Sequence, residues 1–128
     1  MTDTSVLVGR RVLITEDEVI LAMEIEQTMK RAGCEIVGVA SSVEQGLKFL
    51  ATDVVDFAIL DINLGGKEVF PLAAKLRTMG IPFFFLTGYS RDHLIPHEYG
   101  DSICLEKPVR EALLLKIAVK LCKFTYPG

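Results

Sequence analysis

The chain has 128 residues, 14 basic and 17 acidic side chains for a net charge of −3, and 50% hydrophobic residues. That length suits one domain with a sizeable core rather than a sensor joined to an effector, and so mild a charge excludes polyanion binding by bulk charge and an acidic disordered tail. Mean hydropathy is +0.37, yet the greasiest stretch, residues 81–86 (IPFFFL), contains Pro82 and falls far short of the ~20 apolar residues of a spanning helix.

The first apolar run, Arg11–Thr15 (RVLIT), is β-branched and too short for a helix, so it reads as a buried strand. A helix follows. Leu21, Ile25 and Met29 form its apolar stripe with Ala22 and Ala32 beside it, and Gly33 provides a left-handed stop. The second strand is read at 35–39 (EIVGV). Ser42, Val43, Glu44 and Gln45 then fit a capping box opening a helix with Val43, Leu47 and Leu50 on one face. The third strand is 57–60 (FAIL). Its following helix has Pro71 in the first turn, Leu72, Ala73 and Leu76 inward, and Gly80 at its end. The fourth strand is 82–86 (PFFFL). The fourth helix, within 90–99 (SRDHLIPHEY), is expected to be short, broken or mobile. Pro96 interrupts it at ~3 kcal/mol, and only Leu94 and Ile95 are strongly apolar. The fifth strand is 102–105 (SICL). After Pro108 the last helix places Leu113, Leu114, Ile117, Ala118 and Leu121 on its core side.

Strands alternating with helices predict an α/β fold, with a parallel sheet covered on both faces and right-handed crossovers. No repeat, low-complexity tract or linker divides the chain, so residues 1–128 are expected to form a single domain without an output domain. The N-terminus has no signal pattern. Cys34, Cys104 and Cys122 stand far apart and read as free thiols in a reducing cytoplasm, the first two as small core residues. His93 and His97 are four apart, but Pro96 between them argues against a metal pair.

In such sheets ligands bind beyond the carboxyl ends of the strands. Those ends carry Glu16, Asp17 and Glu18, then Asp61, then Thr87, then Glu106, Lys107 and Pro108. Crowded carboxylates repel one another unless a cation sits between them. Oxygen donors beside phosphate suit Mg²⁺ (or Mn²⁺). An aspartate between such a cation and a lysine is suited to attack phosphorus and form an aspartyl phosphate. Metal, lysine and hydroxyl would each neutralise an oxygen of the transferring group.

Four motifs, ITED (14–17), ILDINLGG (59–66), FLTGY (85–89) and EKP (106–108), fall in order, each at a strand end. With them the chain resembles a response-regulator receiver domain of bacterial two-component signalling, over a core of about residues 10–123. The resemblance implies a flavodoxin-like (βα)5 fold, its five parallel strands in the order 2-1-3-4-5. It implies that Asp61 is the phosphoacceptor and Asp17 a direct metal ligand, with Asn63 giving its backbone carbonyl and Glu16 acting through metal-bound water. Thr87 and Lys107 would hold phosphoryl oxygens, and the Lys107–Pro108 peptide would be cis. The FLTGY stretch further resembles a Phe-x-Thr-Gly-aromatic signature frequent in single-domain regulators. Receivers usually carry Tyr or Phe three residues before the lysine as a switch; here that residue is Cys104. Tyr89 is expected to take over part of the switch and gate water, and Gly88 to leave space for a donor imidazole.

The implied function is a stand-alone phosphoacceptor signalling protein, not an enzyme. Its partners would be a histidine kinase or histidine phosphotransfer protein and an unidentified downstream protein, with no nucleic acid or membrane. It would act by phosphorylation-dependent contacts, or as a relay intermediate or phosphate sink. The last helix carries a second apolar set, Ala112, Leu115, Val119 and Cys122, read either as packing or as a partner surface. A homodimer through the face of the fourth helix, fifth strand and fifth helix, using Leu115 and Val119, is one expectation. A dehalogenase-type phosphatase needs a second acid where Asn63 stands, and Glu68 after Gly66 and Lys67 breaks a P-loop. A flavodoxin-like cofactor binder would not meet phosphate with three acids, and the intact Asp17, Asp61, Thr87 and Lys107 argue against a docking-only receiver.

Overall fold

The computed structural model describes residues 3–88 and 95–123. Its elements are β1 (Arg11–Thr15), α1 (Val19–Arg31), β2 (Glu35–Ala40), α2 (Val43–Thr52), β3 (Phe57–Asp61), β4 (Asn63–Leu64), β5 (Lys67–Glu68), α3 (Phe70–Thr78), β6 (Phe83–Thr87), β7 (Cys104–Glu106) and α4 (Glu111–Lys123). Single 3-10 turns stand at Ser5–Leu7 and His97–Tyr99. Five strands pair in parallel in the order β2-β1-β3-β6-β7. With the small antiparallel hairpin β4–β5 set aside, this is the order 2-1-3-4-5, and the fold is flavodoxin-like.

Side chains of a strand alternate between faces, and that alternation divides the apolar residues between two cores. Val12 and Ile14 of β1, Phe57 and Ile59 of β3, and Phe84 and Leu86 of β6 pack with Ile25 and Met29 of α1 and Leu114 and Ala118 of α4. Leu13, Ala58, Leu60 and Phe85 face the other way, onto Val43 and Leu50 of α2 and Leu72, Ala73 and Leu76 of α3. The central strands are buried on both faces, so their sequences are nearly continuous in apolar residues.

Local signals match these elements closely. Ser42 caps α2, its Oγ accepting the Gln45 N–H at 3.2 Å, while Gln45 Oε1 reaches back to the N–H of Ser41 at 2.9 Å. Gly33 has a φ of +96° just past α1, where a Cβ would be strained. β7 begins later than the 102–105 run suggests, because the Ser102 N–H closes a turn onto the Tyr99 carbonyl at 3.0 Å. Cys34 and Cys122 are buried, and desolvation pushes their thiols up to about 12 and about 11.

Three expectations need correction or placement. Val119, assigned to a partner surface, is only 8% exposed and lies in the core with Cys122, while Leu115 is partly buried against it. Leu113, assigned to the core side, is 41% exposed. The cause is the phase of α4. The row Leu114, Ala118, Cys122 lies in the core shared with β1, β3 and β6, and Leu115 and Val119 widen that stripe. Of the 90–99 segment expected to hold the fourth helix, residues 90–94, with His93 and Leu94, fall outside the described residues, as does Tyr89. The segment's described remainder holds the 3-10 turn. No helix among the described residues is long and apolar enough to cross a membrane.

Candidate functional site

Strand ends create the site because the ladder of hydrogen bonds stops there while the chain still needs partners. At the end of β3 the Asp61 N–H is held by the hydroxyl of Thr15, at the end of β1, at 3.2 Å. That hydroxyl in turn donates to the Ile59 carbonyl at 3.4 Å. Asp61 is thereby set beside β1, and it is only 4% exposed. Its Oδ1 accepts the Asn63 N–H at 3.3 Å and its Oδ2 accepts from Lys107 Nζ at 3.0 Å.

Lys107 comes from the far side. It follows β7, its N–H bonds the Thr87 carbonyl at 2.8 Å, and its peptide bond to Pro108 is cis. Its ammonium lies 2.8 Å from Glu16 Oε1 as well as 3.0 Å from Asp61 Oδ2. Desolvation pulls the Lys107 pKa down, but the contacts to Glu16 and Asp61 more than reverse this, so it stays above the ordinary lysine value.

Glu16 is 2% exposed. Its Oε2 accepts the Glu18 N–H at 3.1 Å. Its Oε1 has the charge contact with Lys107, outside hydrogen-bond directions, and no hydrogen bond. Burial raises its pKa to about 7; Lys107 opposes the rise and Asp61 adds to it. Asp17 is exposed, and its Oδ2 accepts the Gly65 N–H at 2.8 Å.

One oxygen from each of Glu16, Asp17 and Asp61 lies within 4.8 Å of the other two. Asp17 and Asp61 border a cavity of about 260 Å³ whose lining also includes Asn63, Thr87, Gly88 and Lys107. Thr87 is 1% exposed. A methyl group at Gly88 would meet no described atom within 4 Å. Hard oxygen donors, and a buried carboxylate oxygen lacking a hydrogen bond, fit Mg²⁺ or Mn²⁺. The arrangement offers a carboxylate nucleophile, a cation site, an ammonium and a hydroxyl around one opening, which is the set phosphoryl transfer needs.

Asp17, Asp61, Asn63, Thr87, Gly88 and Lys107, expected at the site from their motifs, all line this cavity, while Glu16 meets it only through its contact with Lys107. Glu18, read from the sequence only as one of three adjacent acids, lines the cavity too. Cys104 lies elsewhere, partly buried beside an aromatic group of Phe70, Phe83, Phe85 and Tyr99. Tyr99 stacks on Phe70 at 5.5 Å, and the Arg77 guanidinium sits 4.4 Å from its ring centre. Thr15 and the hairpin went unread. A Gly-Gly pair between Leu64 and Lys67 was the available signal for the hairpin.

A family model described as response regulator receiver domain matches residues 12–119. The transcriptional regulatory protein PdtaR of Mycobacterium tuberculosis is 30% identical over 110 residues, covering 84% of this chain and 54% of that protein. The chain thus spans about half the length of this curated relative. The solution structure of the BeF3-activated conformation of SdrG from Pseudomonas melonis Fr1 is similar, with a TM-score of 0.74 and 33% identity over 89% of this chain and 98% of that one. The response regulator PhyR from Brucella abortus has a similar fold, with a TM-score of 0.83 at 24% identity, covering 94% of this chain and 51% of that one.

Proposed function

The chain belongs to the response regulator receiver domain family, and from that premise we propose that it is a stand-alone regulator taking a phosphoryl group onto Asp61. The observation that carries the reading is the placement of Asp61, 3.0 Å from a Lys107 ammonium that also touches Glu16 at 2.8 Å, with an oxygen of Asp17 and of Glu16 within 4.8 Å of its own.

Asp61 attacks the phosphorus of a donor phosphohistidine. The O–P bond forms, the P–N bond breaks, and the imidazole leaves. Lys107, already against the Asp61 carboxylate at 3.0 Å, then faces one phosphoryl oxygen; the Thr87 hydroxyl faces another. Asp17, Asp61 and the Asn63 carbonyl would hold Mg²⁺ or Mn²⁺, with Glu16 acting through water. Bound there, the cation supplies charge neutralisation of the transferring group. The donor is a histidine kinase or histidine phosphotransfer protein, approaching over Gly88. Val19, Ile20 and Met23, at the start of α1, are 71%, 70% and 50% exposed, and Ile20 lines the groove running from Gly88 and Lys107. Apolar groups so exposed beside the opening suit a protein donor rather than a small metabolite.

The protein acts in the cytoplasm by protein contact, as a relay intermediate, a phosphate sink or an allosteric effector, rather than as an enzyme or a nucleic-acid binder. Support for the stand-alone form comes from SdrG, nearly all of whose chain is matched here. The test is acetyl phosphate with Mg²⁺ followed by mass spectrometry. Wild type should gain one phosphoryl group, and Asp61→Asn should gain none. Equal labelling of both, or none with any donor including a phosphorylated histidine kinase, would overturn the reading.

A further inference from the structure

An exposed aspartate ordinarily samples several rotamers, yet Asp17 is held. Its Oδ2 accepts a 2.8 Å hydrogen bond from the backbone N–H of Gly65, 48 residues away in sequence. Gly65 belongs to the hairpin between the phosphoacceptor strand and α3. With Gly66 it makes the two-residue connection between Leu64 and Lys67, which pair across the hairpin. Their φ values are +57° and +86°, the pair of left-handed conformations that closes a type I′ turn.

The hairpin is itself fixed on several sides. Leu64 is 2% exposed and packs with Val69 and Leu72. Asn63 Oδ1 accepts the Gly66 N–H at 3.0 Å, and Lys67 Nζ lies 3.4 Å from Glu44 of α2. The donor aimed at Asp17 is therefore part of a braced turn.

We propose that the Gly65 N–H is a positioning group for Asp17, holding its carboxylate within reach of Glu16 and Asp61 before a divalent cation arrives. This rests on the reading of Asp17 as a cation ligand. The physical gain is that the rotamer of Asp17 is fixed by folding rather than by metal binding. Groups that orient a ligand in this way typically change metal affinity by about 10–100-fold when removed.

Calorimetric titration of Mg²⁺ into the full chain tests it. Gly65→Pro removes the N–H and cannot take the positive φ. Its Mg²⁺ affinity should fall by about tenfold or more. Gly65→Asn keeps the donor and tolerates the left-handed conformation, so it should bind within about twofold of wild type. Lys67→Ala loosens the tether to α2 but leaves the donor, and should also match wild type. In an Asp17→Ala background, Gly65→Pro should cause no further loss; an equal further loss would mean a merely structural effect and overturn the proposal. Should Gly65→Pro fail to fold, amide hydrogen exchange decides. The Gly65 N–H should be protected in wild type and exchange about tenfold faster in Asp17→Ala; equal rates would overturn the proposal. Failure of the underlying reading looks different, because wild type and Asp17→Ala would then bind Mg²⁺ alike.

Discussion

Glu16 shows how one residue sets a pH dependence. Its pKa is about 7 in the folded chain against an ordinary value of 4.5, mainly through burial. A carboxyl whose pKa rises on folding contributes stability that is fully present below about pH 4.5 and lost as the pH rises through about 7. Wild type should therefore lose stability between pH 5 and pH 8 relative to Glu16→Gln in metal-free urea melts. Parallel pH profiles for the two proteins would contradict this. Thr15 gives a second prediction. Thr15→Val keeps the shape but strands the Asp61 N–H, which should cost ~1–3 kcal/mol in the same melts and slow phosphorylation by acetyl phosphate. Neither effect was readable from the sequence alone. The resemblance gives Glu16 and Asp17 different roles, but nothing local in residues 16–18 says which acid is buried, and only the three-dimensional path of the chain buries the first and exposes the other two. Thr15 meets Asp61 across 46 residues of sequence, so no local pattern announces the pair.

Among the elements, legibility followed period and length. β1, β3 and β6 were evident because strands covered on both faces read as unbroken apolar runs. α4 was seen as a helix, but its phase was misjudged, since an apolar stripe more than two residues wide leaves its centre ambiguous. The hairpin strands are two residues each, too short for any period to show. β2 adds a different constraint. Its register with β1 slips between Val12 and Leu13. Just past the extra residue, a Cβ on Gly38 would come within 2.3 Å of the Phe49 ring of α2. Gly38→Ala should push that ring outward and destabilise the protein by ~1–3 kcal/mol. The loss should shrink when Phe49→Ala is added, because the clash then disappears. Thermal denaturation of the two single variants and the double measures the coupling, and strictly additive losses would count against it.

At the scale of the whole molecule, the sheet separates two apolar cores and gathers charged ends along one rim. On that rim the clustered carboxylates of Glu16, Asp17 and Asp61 face Lys107, so a divalent cation should stabilise the folded state. At ten times the dissociation constant the gain is about 1.4 kcal/mol, or roughly 4–6 °C for a chain of this length. Asp17→Asn should lose most of that rise in a thermal scan with and without Mg²⁺; full retention would remove Asp17 from the ligand set. The position of Lys107 has a mechanical consequence as well. Its backbone leaves β7, the outer strand, and its ammonium reaches past β6 to the carboxylate that ends β3 and the one that follows β1. With neighbouring strands ~4.8 Å apart, this one side chain lies across the grain of the sheet like a tie-rod. Loosening its inner anchorage slackens the rim strand, and tugging on the rim strand strains the hub.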